Sequence, residues 1–175
     1  KINPICIHPM FGPGIKTIKG QNIISVPIKD AKKELTVAKA LFDGANFVTI
    51  DAIEHDKKIA VILGLTHLMN LVFANIISKD EKMLLTEKMS GTTFRVQKTL
   101  AESIMTETPE LIETIIANPE IRRVAEELWK DIGRLLTSVQ ESKTEEVIEY
   151  IKNCQERLSK HTDLDESYKK LSKMV

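Results

Sequence analysis

The chain has 175 residues, of which 42% are hydrophobic, and its 25 lysine and arginine residues balance 25 aspartate and glutamate residues. That length suffices for one large core or two small ones, and the zero net charge provides no field that would favour nucleic acid or an anionic membrane as a partner. The two cysteines lie far apart and no residues show metal-ligand spacing, which predicts a cytoplasmic protein without a metal site.

The first third of the sequence has the pattern of an α/β sheet. Asp30 can cap a helix that continues to about Asp43, and Gly44 provides a stop. Because an apolar run begins almost at Lys1 and would need neighbouring strands, we expect the chain to be a fragment of a longer protein. The predicted strands are residues 2–7, 23–26 and 46–50.

A histidine follows the first of these predicted strands. His8 opens the sequence HPMFGPG (8–14), in which Pro9 favours an extended backbone and the later prolines and glycines shape a loop. Histidine exchanges protons near neutral pH, and ligands of α/β sheets bind at strand ends, so His8 is a candidate catalytic residue. The alternative is a half-buried histidine that only marks the junction of strand and loop.

The pattern becomes helical after residue 51. We therefore predict an α/β remnant over residues 1–51, joined without a flexible linker to an all-helical domain over residues 52–175. Four segments that combine a capping residue with proline or an acidic or hydroxyl side chain predict helix starts. They are residues 90–92, 108–110, 118–120 and 142–145.

The first long helix is predicted over residues 52–78, and its part from Ile59 to Ile77 has no charged residue. That length approaches a membrane span, but a helix surrounded by other helices has the same composition, and we favour the latter. One stripe of the helix is small or polar and could accept a close helix or a ligand, so His67 is either a core histidine or a ligand-binding residue. The stripe consists of Ala60, Gly64, His67, Asn70 and Ala74.

Arg95 is predicted in the first turn of a helix that begins near residues 90–93. A cation there opposes the helix dipole, which favours negative charge at that end. Backbone N–H groups, threonine hydroxyls and a guanidinium would together bind a carboxylate or phosphate. The alternative is an ordinary salt bridge to a nearby glutamate.

Five short segments follow one another along the chain, and their joint spacing is specific. They are HPMFGP (8–13), EHD (54–56), GLTH (64–67), TFRV (93–96) and PELIETIIAN (109–118). Taken together, these segments closely resemble the prephenate dehydrogenase family. The resemblance extends in order from about Ile5 to Asn118, and the carboxyl-terminal part matches only in being helical.

The resemblance implies oxidative decarboxylation of prephenate to 4-hydroxyphenylpyruvate, in tyrosine biosynthesis, with NAD or NADP as the cofactor. It implies that His8 takes the proton of the ring hydroxyl, that Arg95 binds a substrate carboxylate, and that His67 lines the same pocket. His55 resembles a nearby family position, to which we assign a supporting, orienting role. Residues 1–51 would be the carboxyl-terminal part of a Rossmann-type dinucleotide-binding domain, and residues 52–175 would bind substrate and form a homodimer.

The sequence departs from the family pattern because it contains no GxGxxG loop, and Gly12-Pro13-Gly14 cannot replace one since proline has no N–H for a phosphate. The cofactor-binding residues are therefore unknown, and we expect this chain alone to be inactive. Two alternatives remain open. They are an arogenate dehydrogenase and a non-catalytic helical interaction module.

Dimerisation also has support from the helical pattern itself. The apolar face of Ile59 to Ile77 is the better candidate for a centre shared by two subunits. A second candidate is a stripe with three-four spacing near the carboxyl end, which could equally pack on its own domain. That stripe comprises Val147, Ile151, Cys154, Leu158, His161, Asp165, Tyr168 and Leu171, with Leu164 as a substitute for Asp165.

Overall fold

The computed structural model describes residues 4–173 of the chain. Contacts divide the chain into two compact units, Lys1–Ile59 and Ala60–Val175. In the first unit, a three-stranded sheet is formed by β1 (Ile7–Pro9), β2 (Asn22–Ser25) and β3 (Asn46–Thr49), in that spatial order. The described part of the second unit contains helices only.

The sheet is mixed. Strand β2 pairs with β3 in parallel and with β1 in antiparallel orientation. The parallel pair is connected through helix α1 (Ala31–Leu41), as a crossover unit requires, so the predicted strand, helix and strand are confirmed. Ile23, in the middle strand, is fully buried and anchors the small core of this unit.

The first strand differs from the prediction. Residues 2 and 3 of the predicted strand lie outside the described residues, residues 4–6 have no regular structure, and the strand is Ile7–Pro9. His8 therefore lies within the strand, opposite Ile24, and not beyond its end. Pro9 fits here because β1 is an edge strand of the described sheet, where a missing N–H can face away from the partner.

Helix α1 begins where predicted, after Asp30, and ends two residues before the predicted end at about Asp43. The Asp30 side chain accepts a hydrogen bond from the Lys33 N–H at 3.1 Å, which caps the amino terminus. The helix ends at Leu41, and Gly44 has φ of 80°, a left-handed conformation that glycine adopts without strain.

Glu34, on the same helix, is buried and faces back to the loop before it. Its carboxylate accepts hydrogen bonds from the backbone N–H groups of Ile28, Lys29 and Asp30 at 2.8, 2.7 and 2.8 Å. These N–H groups lower the pKa of Glu34, with that of Asp30 contributing most. The loop between β2 and α1 is thus held by a single side chain.

The predicted all-helical character of the chain after residue 51 is confirmed in the described residues. Thr108 and Asn118 cap two of them as predicted, by accepting hydrogen bonds from backbone N–H groups. After α1, the structure has α2 (Ala52–Ile59), a π-helical segment (Ala60–Leu65), α3 (Thr66–Ile77), α4 (Met83–Met89), α5 (Thr92–Ile104), α6 (Pro109–Ile116), α7 (Pro119–Gln140), α8 (Thr144–Ser159) and α9 (Leu164–Leu171).

The carboxyl-terminal stripe is not one continuous helix face, so that prediction is wrong. Helix α8 ends at Ser159 and α9 begins at Leu164, which places His161 in the connecting turn. The Asp163 side chain accepts a hydrogen bond from the Glu166 N–H at 3.0 Å and starts a new helix. A capping aspartate within an apparent three-four repeat therefore interrupts the helix.

The small and polar stripe of the long helix faces other helices of the second unit. Ala60 and Gly64 lie in the π-helical segment, and Ile121 of α7 packs directly over Gly64. Asn70 is buried, donates to the Thr66 carbonyl and accepts from the Gln97 side chain at 2.9 Å. The stripe therefore accepts close helix neighbours, as one of the two interpretations predicted.

The large apolar residues of this helix point the other way. Val61, Ile62, Met69, Val72 and Ile76 are 48 to 62% exposed. Within the described residues, one helical stretch, Ala52–Ile77, is long and apolar enough to cross a membrane by length and composition alone. That finding is weak evidence alone, because core helices pass the same test. Only 28% of the most apolar window is buried, however, so the prediction of a helix surrounded by other helices is wrong for the described residues of this chain.

Candidate active site

The first candidate residues are two histidines of the first unit. His8 lies in β1, and His55 lies in the first turn of α2, which is fixed where the Asp51 carboxylate accepts a hydrogen bond from the Glu54 N–H at 2.9 Å. The His8 Nδ1 atom is 3.0 Å from His55 Nε2, and the rings are tilted by 54°. The fold thus joins two residues that are 47 positions apart in sequence.

A carboxylate lies next to the second of these two histidines. The other ring nitrogen of His55, Nδ1, is 2.9 Å from Asp56 Oδ1. In the described residues, no hydrogen bond involves Nε2 of His8. Burial, with a smaller contribution from the charge of His55, lowers the pKa of His8. The lowered pKa favours the unprotonated form of the His8 ring.

His67 has a different environment. It is 6% exposed, its Nδ1 donates to the Leu63 carbonyl at 2.8 Å, and its Nε2 is 3.3 Å from Glu107 Oε2. Both nitrogens thus face acceptors in the described part of the second unit, as in a hydrogen-bonded core histidine. A ligand that bound Nε2 would have to displace Glu107, so the substrate-binding role of His67 stays a prediction.

Arg95 lies in the first turn of α5, as predicted. Its Nε donates to the Ser90 hydroxyl at 3.3 Å, and within residues 4–173 no carboxylate forms an ion pair with it. It is exposed beside a small cavity of about 220 Å³. The predicted alternative, a salt bridge to a glutamate, is therefore absent from the described residues.

A second cation lines the same cavity and, unlike Arg95, is paired with carboxylates in the described residues. Lys98 forms ion pairs with Glu102 and with Glu87, the latter at 3.0 Å. Those carboxylates raise the pKa of Lys98, Glu102 more than Glu87. The charge of Lys98 is thus compensated within the chain, whereas the Arg95 guanidinium beside the same cavity has no ion pair among the described residues.

Sequence reasoning missed the role of three residues here. Asp56 stood in the family segment EHD, and its position next to His55 was an available signal. Ser90 lies only five residues before Arg95, at a predicted helix start, so its position was also a signal. Nothing in the sequence marked Glu107 as a partner of His67, because that contact joins positions 40 residues apart.

Comparison with known families decides the identity at the level of a family. A model described as prephenate dehydrogenase, dimerization domain, matches residues 51–153, more than half of the chain. The chain belongs to the prephenate dehydrogenase family. The family resemblance of the sequence is thereby confirmed, and so is the predicted fold class of an α/β remnant followed by a helical dimerisation domain.

Solved structures of dehydrogenases have the same fold. An arogenate dehydrogenase from Synechocystis has 13% identity and a TM-score of 0.66, covering 90% of this chain and 61% of its own. A prephenate dehydrogenase from A. aeolicus, in complex with hydroxyphenyl propionate and NAD+, has 19% identity and a TM-score of 0.67, covering 90% and 59%. A putative prephenate dehydrogenase from Corynebacterium glutamicum has 18% identity, a TM-score of 0.57, and covers 74% and 45%.

This member of the prephenate dehydrogenase family thus spans about 60% of the length of the first two of those structures. No match among curated proteins reaches significance. At these identities the likeness to solved structures establishes the fold and leaves the substrate open.

Proposed function

We propose that this chain forms the carboxyl-terminal part of a cytoplasmic dehydrogenase that converts prephenate to 4-hydroxyphenylpyruvate and carbon dioxide in tyrosine biosynthesis. The observation that carries the proposal is a partly buried His8 with a lowered pKa, whose Nδ1 lies within hydrogen-bond distance of His55, in a chain of this family. The residues described contain no glycine-rich turn at a helix start, so none is assigned to the dinucleotide. When bound, NAD or NADP supplies the hydride acceptor.

His8 acts as the general base in this proposal. Its Nε2 accepts the proton of the ring hydroxyl as the C–H bond of the same carbon is broken. Loss of the ring carboxylate as carbon dioxide leaves its electron pair in the ring, which becomes aromatic, and His8 returns the proton to the phenolic oxygen. His55 orients His8.

Turnover measurements test this function directly. We expect the full-length protein to form reduced dinucleotide and 4-hydroxyphenylpyruvate from prephenate, with NAD and NADP assayed in parallel. Arogenate is the essential comparison, because preferred turnover of arogenate, with tyrosine as product, would assign the sister activity. Turnover of neither substrate would contradict the proposal.

Arg95 is proposed to bind a carboxylate of the substrate, with His67 as a further substrate-binding residue. We expect Arg95→Gln to raise KM for prephenate by one to two decades, which corresponds to about 1.5–3 kcal/mol for a hydrogen bond to a charged group. Arg95→Lys should recover only part of the loss, because an ammonium lacks the planar fork. Steady-state kinetics measure both effects.

The control for this prediction is Arg122→Gln. Arg122 is an exposed arginine of α7 that pairs with Glu126 at 3.1 Å, and its removal should leave KM unchanged. An unchanged KM in both Arg95 variants would show that this arginine has no role in substrate binding.

A homodimer through the helical unit is also proposed. The support is the family model, which describes a dimerization domain, together with the exposed apolar face of α3. We expect the 175-residue chain to sediment as a folded dimer that neither binds a nicotinamide dinucleotide tightly nor turns over prephenate. Val72→Asp should weaken association by about 10²-fold or more, because a buried unpaired charge is costly.

Sedimentation velocity at several concentrations measures this change. The matched control is Gln155→Asp, which adds the same charge at an exposed position of α8. A monomeric wild-type chain, or a Val72→Asp dimer as tight as wild type, would exclude this face as the interface.

A further inference from the structure

Three polar side chains of the first unit form one hydrogen-bonded series. Asp56 Oδ1 lies 2.9 Å from His55 Nδ1, and His55 Nε2 lies 3.0 Å from His8 Nδ1. The ring centroids of the two histidines are 5.3 Å apart with a tilt of 54°, so the rings meet through their nitrogen atoms and do not stack. The side chain of His55 is 18% exposed, which shields the middle of the series from water.

The donors and acceptors of this series determine where its protons lie. A carboxylate only accepts hydrogen bonds, so His55 Nδ1 must carry a hydrogen to bind Asp56. A neutral imidazole has a single N–H, which leaves His55 Nε2 as an acceptor. His8 Nδ1 must then donate to it, and the lone pair of His8 is on Nε2.

We propose that Asp56 and His55 are positioning residues that hold His8 in its Nδ1–H tautomer and thereby keep its Nε2 free to accept a proton. This inference rests on the proposed function only for the use of that nitrogen; the tautomer itself follows from the three side chains. Asp56 acts through His55 and touches neither substrate nor cofactor.

The local fold supports a fixed series. His55 and Asp56 follow the capped start of α2, where the His55 N–H donates to the Asp51 carbonyl at 2.9 Å, so the backbone between them is helical and constrained. His8 is held in register with Ile24 by strand pairing. The free histidine side chain in water favours the Nε2–H tautomer, so an Nδ1–H form at both histidines requires a cause, and the Asp56 carboxylate supplies one.

Nuclear magnetic resonance of the histidine ring nitrogens tests the tautomers in the 175-residue chain. The chain has four histidines, so each spectrum can be assigned with single His→Gln variants. Above the pH at which the rings titrate, we expect pyrrole-type Nδ1 and pyridine-type Nε2 signals for both His8 and His55. Asp56→Asn should shift both residues together toward the Nε2–H form.

The matched control is Glu54→Gln. Glu54 pairs with Lys58 at 3.3 Å in the same helical turn and belongs to no part of the series, so this variant removes an equal charge and should leave both tautomers unchanged. An Nε2–H form of His8 in the wild-type chain, or no change in Asp56→Asn, would overturn the proposal.

Kinetics of the full-length protein add an independent readout. We expect Asp56→Asn to lower kcat by roughly 10²-fold with little change in KM, since the wrong tautomer impairs the chemical step and not binding. Asp56→Glu should restore part of kcat. Correct tautomers without any turnover would refute the proposed function and leave the series intact, whereas normal turnover in Asp56→Asn would refute the role of the series.

Discussion

Replacement of His8 by alanine or asparagine is expected to lower turnover of prephenate by about 10²- to 10⁴-fold, the range for loss of general acid and base catalysis. KM and cofactor affinity should change little, because His8 is assigned to the proton of the reacting hydroxyl and not to a charged group of the substrate. Measurement of kcat and KM in the full-length protein separates the two effects. A His8 variant that retained most of its turnover would exclude this residue from the mechanism.

The pH profile gives a second measurement on the same residue. Burial, and to a lesser degree the charge of His55, lowers the pKa of His8, so the ring stays unprotonated to a lower pH than an exposed histidine. A general base works in its unprotonated form. The pKa that describes the acid limb of kcat/KM should therefore be lower than that of an ordinary histidine. A higher pKa would contradict the assigned environment.

Replacement of Gly64 by valine is expected to destabilise the helical unit by about 3 kcal/mol or more, at the upper end of the costs of overpacking. A Cβ atom at this position would lie 2.1 Å from Cδ1 and 2.3 Å from Cγ1 of Ile121, which is itself only 4% exposed. Ile121 packs with Ala60 and Val124 in one buried cluster, so its side chain is held among neighbours. Chemical denaturation measures the change in the free energy of unfolding.

Two variants make this prediction specific. Gly133→Val places the same side chain in α7 where an added Cβ meets no atom within 4 Å, so it should leave stability within about 0.5 kcal/mol of wild type. Combining Gly64→Val with Ile121→Ala should cost less than the sum of the two single changes, because the second change removes the clashing atoms. Additive losses would show that the two residues do not meet.

The elements that follow from local chemistry were predictable from sequence. Asp30 caps the start of α1 as expected, and Thr108 and Asn118 start their helices, because capping residues act on N–H groups a few positions away. The end of α1 at Leu41 comes two residues earlier than predicted. The π-helical segment at 60–65 was not predicted. It contains Gly64, which Ile121 approaches closely, a contact between distant parts of the sequence that no local pattern shows.

The sequence indicated the candidate residues of the site, but it did not predict the contacts between them. The family segments indicated His8, His55 and Arg95, yet no pattern shows that Nδ1 of His8 meets Nε2 of His55 across 47 positions. The absence of an ion pair at Arg95 in the described residues was equally invisible, because several glutamates were available and only the fold directs two of them to Lys98.

The loop between β2 and α1 has a consequence for where a dinucleotide could bind. A turn from a strand to a helix start is a common place for phosphate, since its N–H groups and the helix dipole attract anions. Here the Glu34 carboxylate already takes the N–H groups of Ile28, Lys29 and Asp30. The chain thus carries its own anion at this turn, and that carboxylate occupies the N–H groups that a phosphate would otherwise bind.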